Sequence, residues 1–183
     1  MLLRTLALCA LSGCTLDSLF PDDDTLPECS VADTSAIALV ASDGQRVFDI
    51  ADGAQVPLLG APQGGHILLV GARVKTASAC QLTATAALRD TTTQRVLGLE
   101  ERPLLLDERA DGWAVPPSTL DAMPNVAVCP SAAATSNVYD HEYRLELTLS
   151  KSGRQLASLS AMITPTCSQN ALAFCQSDCQ FFP

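Results

Sequence analysis

Six cysteines, Cys29, Cys80, Cys129, Cys167, Cys175 and Cys179, are the residues of this chain best suited to covalent chemistry, and their number is even. In an exported chain an even set reads as a disulfide framework, here three bridges with the pairing left open. Each bridge would stabilise by about 2–4 kcal/mol, mainly by restricting the unfolded chain. Clustered thiols can also hold zinc. Here seven residues separate Cys167 from Cys175 and three separate Cys175 from Cys179, without the paired short intervals of a zinc ribbon. Both histidines, His66 and His141, are distant in sequence from this tail, so disulfides are expected and a metal is not. If residues 171–181 are helical, Cys175 and Cys179 share one face, and each reaches another segment rather than its neighbour. The tail is then a knot that ties the C-terminus to the body.

The two histidines restrict catalytic readings. His141 stands in Tyr139-Asp140-His141-Glu142, a base between two carboxylates. Adjacent strand residues point to opposite faces and cannot converge on one proton, so a polar cluster at a strand entrance is expected. His66 follows Gln63-Gly64-Gly65, where glycine would permit close backbone approach at a loop site or simply make a turn. A small-ligand-binding or hydrolytic protein using His66 or His141 is the enzymatic alternative. No nucleophile elbow, phosphate-binding glycine loop or His-Glu-x-x-His helix supports it, and no cofactor is indicated. Trp113 could anchor a sugar or peptide, but with 4% aromatic residues the chain lacks stacking platforms, and Trp113 is expected in the core. Asp22-Asp23-Asp24 could supply part of a calcium shell, yet three consecutive carboxylates fall short of six or more oxygens and read as solvated charge.

The formal charge is −9 over 183 residues. Nucleic acid is therefore a poor partner, and an anionic membrane surface would repel the protein's own face. The length suits one domain.

At the N-terminus, Arg4 precedes the apolar run Thr5–Leu11, followed by Ser12, Gly13 and Cys14: a charged start, an apolar middle and small residues, as in an export signal. The run is too short for a transmembrane helix. Leu11-Ser12-Gly13-Cys14 resembles the lipobox of bacterial lipoproteins. The resemblance implies cleavage before Cys14, acyl chains on its sulfur and amino group, and, with Thr15 following, sorting to the outer membrane. Several acyl chains would hold the protein there far longer than one could. Without residues 1–13 the chain has 10 basic against 20 acidic residues, a charge of −10.

Residues 14–32, with Pro21, the aspartate run and Pro27, read as a lipidated tether. From residue 33 the pattern becomes short strands. Ala36–Ala41, Gln45–Ile50 and Gln55–Leu59 are divided by Asp43-Gly44 and Asp52-Gly53, and His66–Lys75 is continuously apolar, as for a strand covered on both faces. Cys80–Asp90 alternates, with Asp90–Gln94 as its turn. Leu104–Leu106 and Trp113–Val115 are further strand candidates, and Ser118–Val128, which contains Pro124, reads as a crossover loop with a helical turn capped by Ser118. The clearest signal is Tyr143, Leu145, Leu147 and Leu149, then Lys151–Arg154 as a turn, then Ala157, Leu159, Ala161 and Ile163: a hairpin with one buried face.

Strands at this spacing predict an all-β, antiparallel two-sheet β-sandwich over 33–166, with the Cys-rich tail 167–183 packed on it. The architecture resembles immunoglobulin-like or fibronectin-like domains, without the Cys–Trp spacing of true immunoglobulin domains. The layout as a whole resembles envelope lipoproteins of Gram-negative bacteria. It implies a non-enzymatic binding or structural module, lipid-anchored on the periplasmic or surface face of the outer membrane, whose partners are the membrane through its lipid and an envelope protein.

Overall fold

A computed structural model describes residues 26–29, 36–76 and 78–181. The lipobox and Cys14 lie outside the described residues. Among the described residues ten strands form: β1 (Ile37–Ser42), β2 (Val47–Asp49), β3 (Ala54–Gly60), β4 (His66–Lys75), β5 (Cys80–Asp90), β6 (Val96–Glu108), β7 (Trp113–Val115), β8 (Asn125–Cys129), β9 (Tyr143–Lys151) and β10 (Arg154–Cys167). Helix α1 (Leu172–Cys179) follows a 3-10 turn, Gln169–Ala171.

The predicted two-sheet sandwich is wrong: the strands close into a seven-stranded barrel, in the order β4-β3-β10-β9-β5-β6-β7 and back to β4. Strands β1 and β2 extend outward from one edge of β4, and β8 lies on its other edge. The expectation of purely antiparallel pairing fails as well, because β3 and β10 are parallel, from Ala54–Ile163 to Leu58–Cys167. Geometry requires such a pair. Strand direction reverses at every antiparallel junction, so an odd ring can return to its starting direction only with a parallel junction somewhere. Alternation shows which face of each strand is buried but is the same for an open and a closed sheet.

The long hairpin behaves as its sequence predicts. Tyr143 pairs with Ile163, Leu145 with Ala161, Leu147 with Leu159 and Leu149 with Ala157. Its two-residue turn puts Ser152 at φ 48° and Gly153 at φ 75°, both in the left-handed region that a primed hairpin turn needs. On its other side β9 meets β5 in register, Leu145 opposite Leu88 and Leu147 opposite Ala86. Leu145, Leu147, Leu149, Ala86 and Leu88, with Leu68, Leu104, Leu106 and Tyr143, fill the lumen and are almost wholly buried. Strand β4 is buried at every position but Arg73 and Lys75, because β1, β3, β7 and β8 all pair with it.

Two segments differ from their predicted form. Residues 125–128 of the expected crossover loop belong to a strand that runs to Cys129 and binds β4 between His66–Cys129 and Leu69–Asn125, and no helix follows Ser118. The Leu104–Leu106 candidate is the middle of a 13-residue strand. Its exposed Leu99, Glu101 and Pro103 broke the apolar pattern; on the edge away from β5, β6 pairs only with β7, at Asp107 and Glu108, and the rest of that edge tolerates proline.

The barrel has two distinct ends. At the Cys80 end, Pro27–Cys29 lies on the start of β5: the amide of Gln81 donates to Pro27 O at 2.9 Å and that of Cys29 to Gln81 O at 3.1 Å. The Cys29–Cys80 disulfide fastens this segment, Lys151 Nζ donates to Cys29 O at 3.0 Å, and Glu28 accepts the Ser152 hydroxyl. At the opposite end β4 begins, β3, β8 and β10 terminate, and α1 is packed against β4, β8 and β10.

Gly98 marks the closest backbone approach, since a Cβ there would lie 2.0 Å from Ala127 O and 3.0 Å from a Val126 methyl. Gly98→Ala is expected to separate β6 from β8 and to cost about 1–3 kcal/mol, read as a lower urea midpoint with an unchanged m-value.

Candidate functional site

The described chemistry gathers at the His66 end. His66 opens β4 and is 2% exposed, with Gly60 of β3 and Cys129 of β8 as its strand partners. The preceding glycine is required structurally. At Gly65 φ is 78°, and a Cβ would fall 2.3 Å from Cys129 O, so the Gly64-Gly65 pair serves strand entry and close packing rather than an open loop site. The ring of Phe174, on α1, lies 5.5 Å from the imidazole at a tilt of 52° and covers it while remaining 61% exposed itself. Asp178 Oδ2 is 3.3 Å from His66 Nδ1. That contact is out of line for a hydrogen bond, so Nδ1 is buried without a partner.

Two disulfides flank the ring. Cys129 pairs with Cys179 and Cys167 with Cys175, with sequence separations of 50 and 8. All six predicted cysteines are thus paired, and Cys175 and Cys179 do lie one turn apart on a helix and reach β10 and β8 respectively. Helix α1 has eight residues, no side-chain N-cap and only those two buried residues, so it depends on the bridges for its position. A ring nitrogen of His66, Cys175 Sγ and Cys179 Sγ all lie within 4.8 Å of one another. Distance in sequence had separated His66 from the tail cysteines; the barrel brings them together, because β4 begins where β8 and β10 end.

Asp90, at the same end, is also buried. Its carboxylate accepts the amides of Thr93 at 2.7 Å and Thr92 at 2.8 Å, closing the β5–β6 turn, and the Thr135 hydroxyl at 3.2 Å. The Thr93 amide above all, then the Thr92 amide and the threonine hydroxyls, hold this carboxyl below its ordinary range against the opposing effect of burial.

The remaining singled-out residues lie apart from this cluster. His141 is exposed and packs edge-on against Tyr143 at 5.2 Å, with no carboxylate bonded to it among the described contacts. Trp113 is not in the core, contrary to expectation. Its neighbour Ala114 points inward, which leaves the indole half-buried under Arg73, 4.2 Å from the ring centroid, and beside Lys75 at 5.5 Å. Arg73 in turn donates to Asp49 at 2.9 Å, so the indole face is occupied by the protein's own cations. Asp22–Asp24 lie outside the described residues.

No helix among the described residues is long and apolar enough to cross a membrane. Compared with protein-family models, curated proteins and solved structures, the chain has no match.

Two outcomes are expected here. Replacing Cys129 and Cys179 together by Ala should lower stability by about 4 kcal/mol, and replacing Cys167 and Cys175 by about 2.5 kcal/mol, in proportion to the loops they close; urea unfolding of the two variants side by side measures the order. For Asp90 the folded value lies below the unfolded one, so its contribution is present above about pH 4 and lost as pH falls through the folded value. The acid-side fall in urea midpoint should therefore be shallower in Asp90→Asn than in the parent protein.

Proposed function

We propose that this protein is a lipid-anchored envelope module that binds or braces a partner through its outer surface and is not an enzyme. The observation that carries the reading is the docking of Pro27–Cys29 at the Cys80 end, opposite the His66 end. An anchor at Cys14 would be separated by a short acidic leader from a bridge into the barrel, so the membrane would hold one end and the knotted end would face away. Support also comes from the lumen, which is filled by side chains and leaves recognition to loops and exposed strand edges. Three disulfides suit an oxidising compartment. The hydrolytic alternative gains nothing: His66 is sealed beneath Phe174, and His141 stands without a partner carboxylate among the described residues.

Expression of the full chain in a Gram-negative host with radiolabelled palmitate tests this reading. Label should appear on the parent protein and vanish in Cys14→Ser, which should move to the soluble envelope fraction with its three disulfides intact. Unlabelled parent protein in the cytosol, or label retained by Cys14→Ser, would overturn it.

A further inference from the structure

At the His66 end a buried imidazole stands beside the four sulfurs of two disulfides. A ring nitrogen of His66 and the sulfurs of Cys175 and Cys179 lie within 4.8 Å of one another, all three residues buried. A second observation points the same way: His66 is 2% exposed and its Nδ1 is buried without a hydrogen-bond partner. The two remaining sulfurs, of Cys129 and Cys167, are held within bonding distance of the first two by the disulfides themselves.

We propose that, with these two disulfides reduced, the His66 end is a binding site for a zinc-like divalent cation, with His66, Cys175 and Cys179 as ligands and a thiolate freed by the same reduction as the fourth. Imidazole nitrogen with thiolate sulfur in a closed, buried set of four is the donor chemistry of structural zinc. Disulfide sulfur is a poor ligand and thiolate a strong one, so oxidation and metal binding exclude each other. The electrons balance simply. Each of two dithiol reductants transfers two electrons and two protons, cleaving one S–S bond and becoming a disulfide. The cation then displaces a proton from each thiol it ligates. The spacing fits with small adjustments, since α1 is held by little besides these bridges and can settle as they open. Asp178 Oδ2, 3.3 Å from Nδ1, adds a carboxylate charge beside the cation. The oxidised protein uses the four sulfurs as staples, and the reduced protein, before oxidation or under dithiols, uses them as a metal site.

The test is an anaerobic titration of the full chain with Co2+ after complete reduction by a phosphine, followed by displacement with Zn2+. One equivalent should bind, with sulfur-to-cobalt charge-transfer absorption and the visible bands of a tetrahedral ion. His66→Asn should shift those bands and weaken binding by tenfold or more, and Asp178→Asn should weaken it by about tenfold. Replacing Cys9, Cys14, Cys29 and Cys80 together by Ser should leave both unchanged. The oxidised chain should not bind. Absence of stoichiometric binding, a spectrum and affinity indifferent to His66→Asn, as an unfolded polythiol would give, or loss of binding in the four-serine variant would each overturn the proposal.

Discussion

Ring closure with an odd number of strands governs this structure. Six of the seven junctions are antiparallel, and β3–β10 must then be parallel. That junction carries the last strand to the end of the barrel where β4 begins. The chain emerging from β10 is thereby delivered beside His66, and α1 has only a few residues in which to turn back. The knot, the covered histidine and the approach of four sulfurs all follow from where β10 has to end.

The two ends of the barrel divide the work of holding the fold. At the Cys80 end one disulfide and a short backbone pairing fasten the leader segment to β5, and Lys151 and Ser152 of the hairpin tip close over it. At the His66 end two disulfides fasten a helix that has neither cap nor apolar face to hold itself. Between them the stability is that of a lumen filled by apolar side chains, where Leu145, Leu147 and Leu149 meet Leu88, Ala86 and Ala84 across β5 and β9. The staples therefore fix the termini on a body that is already packed. Both backbone contacts that demand glycine, Gly65 against Cys129 O and Gly98 against Ala127 O, concern β8, the strand drawn in tightly between β4 and β6.

A strand's side chains alternate strictly, so its buried face can be read from a run of eight or ten residues. For that reason β5, β9 and β10 were legible, down to Lys151–Arg154 as the hairpin turn, while β4 was legible as a continuously apolar run covered on both faces. Strand β6 was legible only in part, because its exposed residues, on an edge that pairs with β7 only at Asp107 and Glu108, obscure the alternation, and β8 was hidden by Pro124 just before it. Trp113 was misjudged for a related reason: three residues of strand do not show which side faces in, and only the partner strands settle that Ala114 does.

By itself the sequence determined which faces would be apolar, where the chain would turn and that the thiols would be used in pairs, since each depends on neighbours a few residues apart. Tertiary structure decided whether the sheet closes, which junction runs parallel, which cysteines meet and that His66 lies among them. Most of those outcomes depend on contacts between segments far apart in the chain, such as Cys129 with Cys179, 50 residues apart, and Asp52 with Met162, 110 apart. No local pattern records such distances, because the same alternating strands would be equally well buried in two facing sheets.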